Sequence, residues 1–297
     1  MKVQSVLHRF YDHAKFIRGR SENTLKRYKY LINFYVKHFN IEELTDINLT
    51  NVRELFFYGR TKRNWSANTF INYHKTLSVF FQWCIKEGLM QKNYTLEIEV
   101  PKLEKRLPPK LTKQEALKLL EFVYNYPYFY KYLRYRNHAI FATFIFTGLR
   151  KHELLHLKYA DVDLENLTIF VRQGKGRKDR IIPMSYRLSD ILKDYLKERV
   201  RLNKTCPEFF ASLNRNCGFT DSGLKRLIEK IRKESGLVFS AHKLRHSFAT
   251  LMLEGGCDIY SLSKMMGHAD IKTTTIYLAA SAEHLRGEMM KHPLNSI

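Results

Sequence analysis

The sequence predicts a mainly α-helical protein in two domains, with one small antiparallel β-hairpin in the second. Three observations carry that prediction. Apolar stripes at helical spacing, opened by capping residues, fill the first hundred residues. A basic stretch with three prolines, PKLEKRLPPK at 101–110, then stops any helix from crossing it. Beyond it, a strand–turn–strand pattern, LTIFV at 167–171 and RIIP at 180–183, stands among further helices.

In the first domain, Ser21 and Thr24 open a helix whose stripe is Leu25, Tyr28, Leu31, Ile32 and Tyr35. Residues 49–57 read as a shorter helix with its own cap. Ser66 opens the next, carrying Ile71, Leu77, Phe80, Phe81 and Trp83, and Gly88 stops it. Such a bundle leaves Arg20, Lys26, Arg27, Lys62, Arg63 and Lys75 for an outer face. These patterns place the domains at 1–103 and 111–297, with 104–110 as linker.

The second domain opens on a capping box, Thr112 with Glu115. Helices are expected to about Tyr132 and again from about Asn137 to Thr147. The Tyr-rich run from Tyr124 to Tyr135 reads as helix packing, with base stacking as the alternative. After the hairpin the chain turns helical again. One helix runs from His242 to about Leu253 and ends at Gly255-Gly256; Asp258 caps the next, which stops near Gly267. The tail from about Ser281 carries Leu285, Met289 and Met290 at helical spacing.

With 44% hydrophobic residues, the chain of 297 can fill two cores. Its 51 Lys and Arg against 29 Asp and Glu leave a net charge of +22. Counted to Lys110 the balance is 20 against 10, and beyond it 31 against 19, so both parts are basic. Charge spread in this way implies a polyanionic partner, nucleic acid ahead of an anionic membrane. No apolar run reaches the ~18 residues of a membrane span. The opening MKVQSVLHRFYDHAKF has no apolar core of a secretion signal, and the four cysteines are far apart. A reduced, cytoplasmic protein without a zinc site is therefore expected. No P-loop glycine pattern is present.

The chemistry sits in a dispersed set of groups. His242 and Arg245 fall three apart on one helix and share a face. His268 follows Gly267 at a helix end, and Tyr277 comes nine residues later. Arg150 lies on the sharp turn Thr147-Gly148-Leu149-Arg150, and Lys175 between two glycines at the hairpin tip. Guanidinium groups match phosphate oxygens in pairs and keep their charge, while a tyrosine can attack phosphorus. Together they suggest phosphodiester cleavage through a phosphotyrosine bond.

In this order, TGLR-x-x-EL, GKG, H-x-L-R-H, GH and Tyr span about 130 residues, and the chain resembles the tyrosine recombinase (phage integrase) family. The resemblance covers nearly the whole chain and is greatest to compact bacterial Xer-like and transposon-integrase members. Met266 stands where leucine is usual before Gly-His, and Ser240-Ala241 precede His242 where proline is common; neither departure touches a reacting group.

The resemblance implies a SAM-like, core-binding N-terminal bundle and a mixed α/β catalytic domain. It implies that Tyr277 attacks the scissile phosphorus, that Arg150 and Arg245 clamp the phosphate, and that Lys175 protonates the leaving 5′ oxygen. His242 is expected to handle the tyrosine proton, His268 to donate to the phosphate and Glu153 to orient its neighbours. No metal, ATP or other cofactor is required. The partners implied are double-stranded DNA, gripped by two basic domains closing as a clamp, and three more recombinase subunits, identical or related. The tail docks on a neighbouring subunit or on its own domain. The biological task is integration, excision or chromosome-dimer resolution. A type IB topoisomerase and a non-catalytic DNA-binding relative are the alternatives.

Overall fold

The structure is a computed structural model describing residues 1–103, 109–172, 179–268 and 270–277. It divides into two compact units, Met1–Lys105 and Arg106–Ile297.

The first unit is all helical among its described residues. Helix α1 (Val3–Asp12) runs into a π-helical turn, His13–Ile17. Then come α2 (Glu22–His38), α3 (Leu49–Thr61) and α4 (Ala67–Lys86), with 3-10 turns at Leu44–Asp46 and Tyr94–Glu97. Each long helix starts where a side chain takes up a free amide. Ser21 accepts from Thr24 N, Asn48 from Asn51 N and Ser66 from Thr69 N. The stripes predicted for α2 and α4 turn inward together. Tyr35, Leu77, Phe80 and Phe81 are fully buried, and Trp65 lies flat on Tyr73 at 3.9 Å. Trp83 packs on Phe10 in the same core. Arg20, Lys26, Arg27, Lys62, Arg63 and Lys75 are all exposed.

The second unit is built on α6 (Lys131–Thr147), whose Ala139, Ile140, Phe141, Ala142 and Phe144 are wholly buried. Before it lies α5 (Lys113–Asn125), opened by the reciprocal Thr112–Glu115 cap. The sequence expectation of helix to about Tyr132 fails over five residues. Pro127 lacks an amide and holds Tyr126 extended, so α5 ends at Asn125 and α6 begins early, at Lys131. In the intervening loop Phe129 is 90% exposed, whereas Tyr132 is buried in the core.

Helix α7 (Lys151–Leu155) follows, then a three-stranded antiparallel sheet: β1 (Val162–Asp163), β2 (Thr168–Val171) and β3 (Arg180–Pro183). Its register pairs Ile169 with Ile182, both buried, and sets Arg180 opposite Val171. The hairpin tip that carries Lys175 lies outside the described residues, as does the tail with Leu285, Met289 and Met290. Helices α8 (Tyr186–Arg201), α9 (Asp221–Ser235), α10 (Ala241–Glu254), α11 (Ile259–Met266) and α12 (Lys272–Thr275) complete the unit. Helix α10 packs on α6. Its Ser247 hydroxyl accepts the Leu111 amide at 2.7 Å, tying the start of the unit to this helix. No described helix is long and apolar enough to cross a membrane.

Phe80 touches Phe10 and Phe81 at the centre of the first unit. Phe80→Ala should cost about 3–5 kcal/mol there, read by urea unfolding followed by circular dichroism.

Candidate active site

Two helix ends and the face of one helix bring five of the six sequence candidates together. Helix α6 ends at Gly148 in the left-handed region (φ 60°), and α11 ends likewise at Gly267 (φ 63°). Both turns need glycine. A Cβ on Gly148 would fall 2.3 Å from the Phe248 ring, and one on Gly267 3.0 Å from Arg180. These turns aim backbone carbonyls at the arginines. Arg245 donates to Gly148 O at 2.5 Å and to Met266 O at 2.6 Å. Arg150 donates to Gly267 O at 3.0 Å.

Glu153 holds this cluster in place. It accepts Arg150 Nη1 at 2.8 Å and the Arg150 amide at 2.8 Å, and it takes a two-point bond from Arg180 at 2.9 and 2.7 Å. Arg180 also donates from Nε to Met265 O at 2.8 Å. Burial alone would raise the Glu153 carboxyl, but Arg180 and Arg150 hold it at about 2. Burial and the charge of Arg150 bring Arg245 down to about 10, so it remains a cation at neutral pH.

His268 sits between the guanidinium groups and the following helix. Arg245 donates to His268 Nε2 at 3.2 Å. The ring proton therefore sits on Nδ1, which donates to Thr274 Oγ1 at 2.8 Å. Burial, with Arg245, Arg150 and Arg180 nearby, lowers its pKa to about 4.

Tyr277 is 2% exposed and packs in a small cluster with Phe248, Leu262 and Met266. Burial raises its pKa, opposed by Arg245 and Arg150. Its phenol oxygen lies 2.7 Å from His246 Nδ1. Burial and the neighbours His242 and Arg245 lower His246 to about 4. His242 is largely exposed, but the part of its ring covered against His246, 4.1 Å away, and then the charge of Arg245 lower its pKa.

Sequence reasoning assigned no role to His246 or Arg180, although both lie in stretches it used. The signal for His246 was its spacing of four from His242; Arg180 was a charge at the first position of a strand. Among the described residues no cluster of three or more His, Cys, Asp or Glu could hold a metal. The site offers a phenol beside an imidazole, facing guanidinium groups that attract an anion.

Residues 109–284 match the model of the phage integrase family, and residues 6–91 match its N-terminal SAM-like domain. The chain belongs to the phage integrase family. It is 34% identical over 269 residues to the tyrosine recombinase XerD of Listeria monocytogenes, covering 88% of this chain and 89% of that one. To the tyrosine recombinase XerA of Thermococcus kodakarensis it is 31% identical over 282 residues, with 94% and 92% covered. Among solved structures, the XerH site-specific recombinase bound to its palindromic difH substrate, a post-cleavage complex, aligns with a TM-score of 0.74 and 25% identity. That alignment covers 96% of this chain and 83% of the other. The integrase is thus a tyrosine recombinase, an enzyme that cleaves and rejoins DNA in site-specific recombination.

A carboxyl held below its ordinary value of about 4.5 stabilises the fold above that pH, and the contribution fades as pH falls toward 2. Glu153→Gln should lower stability at neutral pH by about 3–5 kcal/mol and flatten the acid side of the stability profile. Urea unfolding across this range measures both effects.

Proposed function

We propose that this integrase cuts each strand through a 3′-phosphotyrosyl bond formed by Tyr277, and that four subunits act on two DNA duplexes. The observation that carries this reading is the convergence of Tyr277, Arg150, Arg245 and His268 through direct bonds and shared neighbours. In the scheme, Tyr277 attacks phosphorus and leaves a free 5′-hydroxyl. Arg150 and Arg245 stabilise the charge of the pentacoordinate transition state. Lys175 protonates the leaving oxygen, and His242 assists the tyrosine proton. His268 donates to the phosphate; its Nε2 accepts from Arg245 in the free site, so this role requires the ring to be protonated or turned once DNA is bound.

The phosphotyrosine conserves the energy of the broken bond for resealing, so no ATP is required. The exposed basic residues of the first unit and the basic second unit grip the backbone, which makes affinity depend steeply on salt. The domains are read as 1–103 and 111–297 with a linker at 104–110, and the protein as cytoplasmic. Xer-named relatives cover almost the whole chain and favour recombination over simple relaxation of supercoils.

Two outcomes test the scheme. The protein is mixed with a pool of nicked duplexes of randomised sequence that lose their 5′ fragment on cleavage, and SDS-resistant adducts are captured and sequenced. Tyr277→Phe should give no adduct while binding the captured site as tightly as the unaltered protein; an adduct in this variant removes Tyr277 from its role. Arg245→Ala should slow single-turnover cleavage by roughly 10²–10³-fold. A loss below about tenfold, ~1.4 kcal/mol, counts against the clamp.

A further inference from the structure

We propose that His246 is a catalytic residue, the direct proton acceptor for Tyr277. The inference rests on the reading of Tyr277 as nucleophile and reassigns the group that serves it. His246 Nδ1 is 2.7 Å from the phenol oxygen, within the reach required of a general base. His242 instead stands one turn back on the same face of α10, its ring against that of His246. His246 is 8% exposed, whereas His242 opens to solvent.

Adjacent positions on α10 divide the chemistry. Arg245 points to the carbonyls of Gly148 and Met266 and to His268, while His246 points to Tyr277. A neutral imidazole with its proton on Nε2 leaves a lone pair on Nδ1 to accept the phenol's hydrogen. Burial, His242 and Arg245 hold His246 in this neutral form at physiological pH. The groups acting on it are His242 and Arg245 from its own helix, Tyr277 after α12 and His268 after α11. A scissile phosphate entering beside Arg245 and Arg150 offsets their positive charge and makes His246 a stronger base when it is needed.

The Tyr277 O–H bond breaks, its proton passes to Nδ1, and the oxygen forms the bond to phosphorus. The bond from phosphorus to the 5′ oxygen breaks, its electron pair leaves with that oxygen, and Lys175 supplies the proton. On resealing, the 5′ hydroxyl gives its proton back to Lys175 as its oxygen bonds to phosphorus, the bond from phosphorus to the Tyr277 oxygen breaks, and the imidazolium returns its proton to the departing phenolate.

The test uses the full-length protein and a captured site, with ordinary DNA and with a bridging 5′ sulfur at the scissile phosphate. The sulfur leaves without protonation. His246→Asn places an amide oxygen near the position of Nδ1, so it keeps the bond to the phenol but cannot take its proton. It should cleave about 10²-fold more slowly at neutral pH, with a rate that climbs as pH rises because hydroxide takes over the proton. The bridging sulfur should restore Lys175→Ala and leave His246→Asn slow. His246→Gln, with its amide nearer the Nε2 position, supplies the same comparison if the asparagine variant is unstable.

Cleavage within about threefold of the unaltered protein overturns the proposal, as does a loss constant across pH or one erased by the sulfur. Tyr277→Phe is run alongside. An adduct surviving there sinks the nucleophile reading itself, whereas an adduct lost there and undiminished in the His246 variants sinks the assignment of His246 alone.

Discussion

The active site depends on packing three guanidinium groups into one partly buried space. Each brings five donors and a charge that cannot be neutralised at neutral pH, and each donor withdrawn from water needs an acceptor. Glu153 serves Arg150 and Arg180, and the carbonyls at Gly148, Met265, Met266 and Gly267 take most of the remaining bonds. This requirement explains why two helices end here in left-handed glycines: a right-handed continuation would turn the carbonyls back into the helices. One carboxylate leaves the cluster positive, which suits it to an anion.

The same cations, together with burial, bias the protons nearby. Burial first, and then Arg245, keeps the imidazoles of His246 and His268 neutral, while Arg245 and Arg150 oppose the burial that raises Tyr277. The basicity of the rings and the pull of the cluster on an anion are therefore one electrostatic property. A change at Arg245 alters its carbonyl contacts and the basicity of the rings together, so effects of substitutions within the cluster will not add.

Much of this was legible in the sequence because local rules acted alone. Ser21, Ser66 and Thr112 cap the helices predicted from them, since a hydroxyl at that position has a free amide three residues on. The pattern along the chain misleads where one residue overrides its neighbours, and it is silent where a partner lies far away. Pro127 broke a helix that the tyrosines around it suggested was continuous. Strand β1 has two residues and is defined by its pairing with β2, which leaves no pattern of its own. Arg180 reveals its role only through Glu153, 27 positions earlier, and His246 only through Tyr277, 31 positions later. The family pattern singled out Arg150, Arg245, His268 and Tyr277, but His246, whose ring meets the Tyr277 oxygen, had to come from geometry.

The flat stack of Trp65 on Tyr73 has a practical counterpart. The chain has two tryptophans, and both Trp65 and Trp83 lie in the N-terminal core. Indole emission is therefore a private reporter of that unit, and the catalytic unit is dark in the same channel. Optical melting of the intact chain can be resolved into its halves without a label, and a DNA ligand that dims the indoles reveals itself at the first unit.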